Sequence, residues 1–198
     1  MKFLFDLGGV FFDWDPKHFY KDIFSSNDDM EYFLTNICNN EWNLQQDAGK
    51  KIEDAEFELI QQFPKYKKEI FMYYKNHRKM IKNIFQSSID ALKELKSKNY
   101  KCYVLSNWSS ETFIGMCDEY KFLNDFDGMI ISGDYNLVKP DEKIFKLAIE
   151  KFDLTPQDTV FIDDRIENIE ASELLNFKTI HLINPNKIRE KINQFIKS

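Results

Sequence analysis

The sequence has 198 residues, enough for one domain with a good core or for a core plus a small insertion, and its 43% hydrophobic and 30% charged residues are typical of a soluble globular protein. Its net charge of −6 argues against nucleic-acid binding, but it does not exclude anionic substrates, because a phosphate site is a local feature. No stretch of 18 apolar residues occurs, so we expect no membrane-spanning segment.

Cysteine usage and the N-terminal segment predict a cytoplasmic location. Cys38, Cys102 and Cys117 form no CxxC pair, so neither a disulfide nor a zinc site is expected, and a reducing compartment is the simpler interpretation. The apolar run at the N-terminus is too short for a signal peptide, carries Asp6 in its middle and lacks a small-residue cleavage site. The pattern does not separate an exposed apolar patch from core, so the oligomeric state stays open.

Short apolar runs along the chain predict strands of a parallel sheet. Such strands are covered on both faces, and their sequences are continuously apolar rather than alternating. The predicted strands are 2–6, 101–106, 128–132, 158–164 and 178–183. Helical patterns lie between and after them, at 87–99, 141–152, 166–177 and 185–196. This alternation predicts an α/β fold with a Rossmann-like, doubly wound parallel sheet as its core.

A long segment between the first and second predicted strands interrupts the alternation. It is helical in pattern over 17–40, 50–63 and 65–84. We interpret it as a small helical cap inserted over the edge of the sheet. The predicted domains are therefore a core formed by 1–14 and 86–198, and a cap formed by 15–85.

Chemically active residues fall at the predicted carboxyl ends of the strands, where open parallel sheets bind their ligands. In chain order they are Asp6 after the first strand, Ser106 and Asn107 after the second, Lys139 in the loop after the third, and Asp163 and Asp164 after the fourth. One edge of the sheet is therefore predicted to gather three carboxylates, a hydroxyl and an ammonium group.

This set of groups suits phosphoryl transfer. Asp6 can act as a nucleophile that forms an acyl-phosphate, and Asp164 can hold Mg²⁺, which prefers oxygen ligands. The metal offsets repulsion between an anionic nucleophile and an anionic phosphate, and Lys139 adds a second positive charge. The Ser106 hydroxyl and nearby backbone N–H groups can hold the phosphate oxygens.

Four segments in chain order resemble the motifs of the haloacid dehalogenase-like hydrolase superfamily, in the branch with a small helical cap inserted after the first strand. They are FDLGGV (5–10), VLSNW (104–108), Lys139-Pro140 and FIDDRIENIEAS (161–172). Further stretches, at 13–20, 41–49 and 126–145, resemble a bacterial group described as phosphatase-like. The resemblance spans nearly the whole chain and implies the α/β core with its cap.

The resemblance implies a role for each matching residue of the metal site. Asp6 is expected to be the nucleophile, and Mg²⁺ is expected to be held by Asp6, by the main-chain carbonyl of Gly8 and by Asp164. Asp163 is expected close by, either as a further ligand or as a helix N-cap. Asn168 is expected either to help order the site or to be a polar residue on a helix face.

The resemblance also implies a set of residues that bind phosphate. Ser106 is expected to bind the phosphate, and Lys139 is expected to stabilise both the phosphate and the nucleophile. Asn107 is expected to contribute to phosphate binding and to the order of the site. Gly8 and Gly9 let the main chain turn tightly and approach the ligand.

The predicted cap carries a polar and aromatic cluster just before Gly49. Its members are Trp42, Asn43, Gln45, Gln46 and Asp47. Such clusters commonly line substrate pockets, and Trp42 and Gln46 are the candidates for substrate contact. The alternative is a helix end with one core tryptophan.

Gly8 departs from the pattern of many phosphatases of this superfamily. These carry, two residues after the nucleophile, an aspartate that protonates the leaving group and then accepts a proton from the attacking water. A positioned acid or base of this kind is worth about 10²–10⁴-fold in rate. Asp13 and Asp15 are candidates for a substitute, or they are turn and helix-cap residues.

The hypothesis that follows is a Mg²⁺-dependent phosphatase for small phosphate monoesters, sugar phosphates among them, which works through an aspartyl-phosphate. The first alternative is a 2-haloacid dehalogenase, which uses the same nucleophile without a metal and an arginine of the cap. The chain has three arginines, Arg78, Arg165 and Arg189, and none precedes residue 78. The second alternative is a catalytically weak scaffold that binds phospho-ligands. The expected partner is a small phosphorylated metabolite.

Overall fold

Backbone hydrogen bonds give the strands and helices the following bounds in the computed structural model, which describes residues 1–196. The strands are Lys2–Phe5 (β1), Phe12–Trp14 (β2), Ile81–Ile84 (β3), Lys101–Ser106 (β4), Gly128–Ile131 (β5), Thr159–Asp163 (β6) and Lys178–His181 (β7). The helices are Lys17–Tyr20 (α1), Asn27–Asn36 (α2), Asn40–Asp47 (α3), Ile52–Gln62 (α4), Lys67–Lys75 (α5), Gln86–Ser97 (α6), Ser110–Phe113 (α7), Met116–Glu119 (α8), Glu142–Lys151 (α9), Ile166–Glu173 (α10) and Ile188–Asn193 (α11). Over these described residues, no helix has the length and apolar composition needed to cross a membrane.

Five of the strands form one parallel sheet in the described part of the chain, in the order β5-β4-β1-β6-β7. Each predicted apolar run contributes one of these strands, so the α/β fold is confirmed. Chain order reverses beside β1, because β4 and β5 extend the sheet on one side of it and β6 and β7 on the other. Doubly wound sheets bind their ligands at such a reversal, outside the carboxyl ends of the strands.

Side chains of β1 alternate between the two faces of the sheet, and both faces are covered. Phe3 and Phe5 lie in one buried cluster with residues of α6 and α11, whereas Leu4 lies in another with residues of α9 and α10. Because apolar side chains cover both faces, β1 has no solvent-facing side. This burial explains why its sequence is apolar at every position after Lys2.

The segment between β2 and β3 is mainly helical and has an apolar core of its own, in which Tyr20, Phe33 and Tyr73 are buried. The helical pattern predicted over 17–40 is interrupted in the structure. Helix α1 ends at Tyr20, and α2 begins after Ser26, whose hydroxyl accepts a hydrogen bond from the backbone N–H of Asp29. This N-cap gives α2 a separate start, so the segment contains separate helices rather than one continuous helix.

The segment 65–84 is predicted to be helical, but its last residues form strand β3 rather than a helix. Helix α5 ends earlier, and β3 pairs antiparallel with β2, with Phe12 opposite Ile84 and Asp13 opposite Asn83. Pairing with a segment distant in the sequence overrides the local helical pattern. The two-stranded ribbon lies where the chain leaves and re-enters the core, close to the predicted domain boundary.

Hydrogen bonds hold the cap over the carboxyl edge of the sheet. Ser132 Oγ donates to the main-chain carbonyl of Asp47 at 2.5 Å. The backbone N–H of Ile52, at the start of α4, donates to Glu111 Oε1 at 2.9 Å. Since each bond joins a cap residue to a core residue, the end of α3 and the start of α4 are held against the sheet edge.

Candidate active site

A buried lysine joins two aspartates at the carboxyl edge of the sheet. Lys139 Nζ lies 2.9 Å from Asp6 Oδ1 and 2.7 Å from Asp163 Oδ2. The side chains of Lys139, Asp163 and Asp6 are 1%, 0% and 10% exposed. Burial lowers the pKa of Lys139, but Asp163 and Asp6 outweigh it and raise the pKa above its usual value. The three residues therefore form one paired, charged unit.

Hydrogen bonds from the protein saturate the carboxylate of Asp163. Besides Lys139, it accepts from the backbone N–H of Arg165 at 2.8 Å and from Asn168 Nδ2, which lies 3.0 Å from each oxygen. These bonds fix the orientation of the Asp163 carboxylate. Because Asp163 binds Lys139 Nζ, it holds the ammonium group beside Asp6. Asn168, on α10, orders the site through Asp163.

Asn107 fixes the backbone of Lys139. Its Nδ2 donates to the main-chain carbonyl of Lys139 at 2.9 Å, and its Oδ1 accepts from the N–H of Lys139 at 2.8 Å. Both ends of the side-chain amide are occupied by these bonds. The side chain of Asn107 therefore positions the backbone of Lys139, and its predicted contact with phosphate stays a prediction.

Three carboxylates meet where the sequence predicts a metal ion. Oxygen atoms of Asp6, Asp163 and Asp164 lie within 4.8 Å of one another. Burial raises the pKa of Asp6, while Lys139 opposes this and Asp163 adds to it. Burial and the charges of Asp6 and Asp163 raise the pKa of Asp164 to about 7. The cluster holds more negative charge than Lys139 compensates, and this oxygen donor set fits a hard divalent cation such as Mg²⁺.

The main chain after β1 passes close to Asp164, and Gly9 makes this approach possible. Gly9 has a φ of +65°, and a Cβ built on it would lie 2.8 Å from Cβ of Asp164 and closer to its carboxyl group. The N–H of Gly9 donates to the carbonyl of Phe12 at 3.0 Å, which closes the turn. At Gly8, by contrast, a Cβ would meet Asp6 Oδ2 only at 3.9 Å, so it would not clash there.

A cleft of about 260 Å³ lies between the carboxyl edge of the sheet and the cap. From the core it is lined by Asp6, Gly8, Gly9, Asn107, Trp108, Lys139, Asp164, Arg165 and Asn168. From the ribbon and the cap it is lined by Trp14, Asn40, Asn43, Leu44, Asp47 and His77. The charged cluster therefore faces a space that both parts of the chain enclose.

Ser106 lies beside the cluster but is not among the residues that line the cleft. It ends β4 and is 1% exposed. The register of β1 and β4 pairs Phe5 with Val104, so the residues that follow Phe5 and the end of β4 leave the sheet at neighbouring positions. The contact of Ser106 with phosphate stays a prediction.

Trp42 and Gln46 do not line the cleft, in contrast to their predicted contact with the substrate. The Trp42 ring packs on Tyr73 with centroids 5.2 Å apart, and Gln46 is fully buried and accepts a hydrogen bond from the Tyr74 hydroxyl at 2.7 Å. Both residues face the core of the cap because they lie four positions apart on one side of α3. Their positions agree with the other interpretation of this cluster, a helix end with one core tryptophan.

A neighbouring side of α3 faces the cleft, and the sequence analysis named its residues as members of the cluster but not as the candidates for substrate contact. Asn43 and Asp47, also four positions apart, line the cleft together with His77 from the turn after α5. A helical projection that assigned Trp42 to the core would have placed Asn43 and Asp47 on another face. His77 carries no comparable signal, because only the tertiary fold brings it to the cleft.

Asp13 and Asp15 do not reach the cleft either. Asp15 Oδ1 accepts a hydrogen bond from the backbone N–H of Lys17 at 2.8 Å, which is the predicted role at a helix start. Asp13 Oδ1 lies 3.0 Å from His18 Nε2. Neither carboxylate is placed to exchange a proton with a molecule beside Asp6.

The fold and the cluster together define a class of protein: an α/β enzyme with a buried aspartate, lysine and acidic pair at the switch point of a doubly wound sheet. Residues 16–182 match the family described as haloacid dehalogenase-like hydrolase. The chain belongs to this family, so the resemblance found in its motifs is confirmed and the protein is a hydrolase.

Three similar proteins match this chain over most of their own length. It is 26% identical over 180 residues to the sesquiterpene phosphatase astK of Aspergillus oryzae, covering 90% of this chain and 88% of that protein. A predicted HAD-like family hydrolase from Porphyromonas gingivalis has a TM-score of 0.76 and 22% identity over 100% and 98% of the two chains. The HAD family enzyme bt-2542 from Bacteroides thetaiotaomicron, solved with magnesium and inorganic phosphate, has a TM-score of 0.68 and 24% identity over 90% and 92%.

Proposed function

We propose that this protein is a Mg²⁺-dependent phosphatase that hydrolyses small phosphate monoesters through an aspartyl-phosphate on Asp6. The observation that carries the proposal is the contact of Lys139 Nζ with both Asp6 and Asp163, at 2.9 and 2.7 Å. A carboxylate held in this way at the end of a central strand, and facing a cleft, suits attack on a phosphorus atom bound in that cleft.

Each residue of the charged cluster has a role in this chemistry. Asp6 attacks phosphorus through a carboxylate oxygen, and the ammonium group of Lys139 stabilises the negative charge on the transferred group. Asp163 keeps Lys139 in place through their 2.7 Å contact. Asp6, Asp164 and the main-chain carbonyl of Gly8 would hold Mg²⁺, which would supply a second positive charge to offset the repulsion between the nucleophile and the phosphate.

The phosphate group is proposed to contact the Ser106 hydroxyl and main-chain N–H groups in the loops after β1 and β4. Two observations support this proposal. The β1–β4 register brings the ends of these strands together, and Asn107, the next residue, lines the cleft. Backbone N–H groups and hydroxyls are the donors that commonly hold phosphate oxygens.

The size of the cleft favours a small substrate. Its volume of about 260 Å³ is below the ~300–1,000 Å³ typical of sites for drug-sized ligands. We therefore propose small phosphorylated metabolites, sugar phosphates among them, and the relative named a sesquiterpene phosphatase adds a terpenoid phosphate to the candidates.

Cys38 and Cys102 are free and buried, and this thiol state is consistent with a cytoplasmic site of action.

The dehalogenase alternative receives less support from the positions of the arginines. Arg78 is engaged outside the cleft, because its guanidinium donates to the carbonyls of Thr112 and Ile114, each at 2.8 Å. Arg165 lines the cleft from the core rather than from the cap, and it is paired with Glu167 at 2.5 Å. The scaffold alternative is disfavoured because the paired nucleophile, lysine and third carboxylate are all present at one site.

Phosphate release from a panel of phosphorylated metabolites tests the proposal. The panel contains sugar phosphates, polyol phosphates, a terpenoid phosphate and p-nitrophenyl phosphate, each with Mg²⁺ and with EDTA. We expect turnover that EDTA suppresses and that Asp6→Asn abolishes without a change in folding. Asp13→Asn is the matched control, because Asp13 lies on the ribbon away from the cleft, and it should keep wild-type activity.

The same panel separates the three functions. Release of halide from a 2-haloacid without metal would replace the phosphatase with the dehalogenase. Binding of phospho-ligands with no turnover of any panel member would replace it with the scaffold. Full activity of Asp6→Asn on a phosphate ester would show that Asp6 is not the nucleophile.

A further inference from the structure

Because Gly8 has no carboxylate, the site has no evident residue for proton transfer. If the protein is a phosphatase, an alkoxide leaving group needs a proton, and the water that attacks the aspartyl-phosphate must lose one. Neither Asp13 nor Asp15 lines the cleft, so neither is placed to perform these transfers. Packing does not account for the glycine, because a Cβ at this position would find its nearest neighbour, Asp6 Oδ2, at 3.9 Å.

Asp47 is the cleft-lining carboxylate that stands outside the acidic cluster of Asp6, Asp163 and Asp164. It is the last residue of α3, and it faces the cluster from the cap. Its backbone is fixed to the core, since Ser132 Oγ donates to its carbonyl at 2.5 Å. Asp47 and Asp6 therefore line the same cleft, Asp47 from the cap and Asp6 from the core, and they are close enough for the charge of Asp6 to act on Asp47.

A chain of buried hydrogen bonds orients the Asp47 side chain. Asn43 Nδ2 donates to Asp47 Oδ2 at 3.0 Å. The Tyr74 hydroxyl donates to Gln46 Oε1 at 2.7 Å and lies 3.1 Å from Asn43 Oδ1, so the Asn43 amide sits against a buried side chain. A carboxylate whose neighbour is held by buried side chains has a defined direction, which proton transfer requires.

The surroundings of Asp47 suit a group that both donates and accepts a proton. Burial, the largest effect, raises the pKa of Asp47 to about 7, and the charge of Asp6 adds to it. The N–H of Ser109 and the charge of Arg165 act in the opposite direction. An acid or base is most effective when it titrates close to the operating pH.

We propose that Asp47 is the general acid and base of this active site and replaces the carboxylate missing at Gly8. The assignment rests on the proposed phosphatase function. In the first step a bond forms between an Asp6 oxygen and phosphorus, the bond from phosphorus to the ester oxygen breaks, and the Asp47 proton passes to that oxygen to give the alcohol. In the second step water attacks phosphorus, the Asp6 oxygen leaves, and Asp47 takes the proton of the water.

Asp47→Asn tests the assignment with two leaving groups. One substrate is the alkyl phosphate of the panel on which the wild-type protein is fastest, and the other is p-nitrophenyl phosphate, whose nitrophenolate leaves without a proton. The variant should lose about 10²–10⁴-fold in turnover of the alkyl ester. With p-nitrophenyl phosphate it should keep a rapid first turnover, seen as a burst of nitrophenolate, before slow hydrolysis of the phosphoenzyme.

Two further variants sharpen the test. Glu41→Gln removes an exposed carboxylate from the same helix and should leave both substrates unaffected. Gly8→Asp in the Asp47→Asn background introduces a carboxylate at a position whose backbone accepts a Cβ without a clash, and it should restore part of the alkyl phosphatase activity. A residue that only supported the cap would show no such rescue.

Three outcomes would overturn the assignment. The first is wild-type turnover of the alkyl ester by Asp47→Asn, because no proton transfer would then depend on Asp47. An equal loss of the nitrophenolate burst and of alkyl turnover would assign Asp47 a structural role, while the phosphatase function would stand. A wild-type protein that releases phosphate from no ester would instead remove the proposed function, and the assignment with it.

Discussion

Replacement of Gly9 by alanine tests whether the close approach of the main chain to Asp164 builds the metal site. A Cβ on Gly9 would lie 2.8 Å from Cβ of Asp164, and ordinary contact begins at 3.4 Å, so the two residues must separate by roughly half an ångström or more. The Asp164 carboxyl group is closer still and must move further. Misplacement of a catalytic group by about 1 Å can cost on the order of 10²-fold in rate.

The backbone adds a second and separable cost. Gly9 has a φ of +65°, and alanine in this left-handed region costs roughly 1–2 kcal/mol. Gly115 provides a matched control, because its φ is +80° and a Cβ there would meet nothing within 4 Å. Both alanine variants should therefore lose stability from the backbone in denaturant titrations, while Gly9→Ala should lose more because of its clash with Asp164 and alone should lose function.

The assay combines Mg²⁺ titration with steady-state kinetics on the best ester of the panel. Gly9→Ala should bind Mg²⁺ more weakly and lose on the order of 10²-fold in kcat, whereas Gly115→Ala should match the wild-type protein in both. Wild-type Mg²⁺ affinity and kcat in Gly9→Ala would refute the reasoning, since Asp164 would then not need the position it has in the structure.

Two further predictions concern charge. Lys139→Met should abolish turnover and cost about 3–5 kcal/mol of unfolding free energy, because it leaves Asp6 and Asp163 buried without their cation; unchanged stability in denaturant titration would argue against the buried pairing. Burial lowers the pKa of His77 to about 3, below the 6.5 of the unfolded chain. Because the unfolded chain then binds a proton more readily than the folded protein, the free energy of unfolding is unaffected above pH 6.5 and decreases as the pH falls from 6.5 toward 3. The wild-type protein should lose about 2 kcal/mol more between pH 7 and pH 5 than His77→Phe, and equal losses in the two proteins would show that His77 is not buried as a neutral side chain.

Much of the fold can be predicted because strands that are buried on both faces have continuously apolar sequences. The strands of the sheet are covered on both faces, so Phe3, Leu4 and Phe5 must all be apolar, and the run that they form is visible without coordinates. The positions of Asp6, Lys139 and the acidic pair follow from the rule that ligands bind at the carboxyl ends of parallel strands. This part of the prediction depended on topology and not on side-chain detail.

The cap was less predictable because its geometry depends on contacts between distant segments. Strand β3 exists because it pairs with β2, and its own sequence also fits a helical pattern. On α3 the cluster of polar and aromatic residues indicated a site, but Asn43 and Asp47 line the cleft whereas Trp42 and Gln46, the residues chosen from the sequence, are buried in the cap. Which face is buried is decided by packing on α5, through Tyr73 and Tyr74.

The central claim is that Asp6 forms a covalent phosphoenzyme, and trapping that intermediate tests it most directly. The protein is mixed with Mg²⁺ and p-nitrophenyl phosphate, quenched in acid during turnover, digested and analysed by mass spectrometry. One phosphoryl group should be found on the peptide that contains FLFDLGGVFF, at Asp6, and Asp6→Asn should carry none. Turnover with the phosphoryl group on another residue, or with no phosphoenzyme under conditions that slow its hydrolysis, would contradict the proposed mechanism.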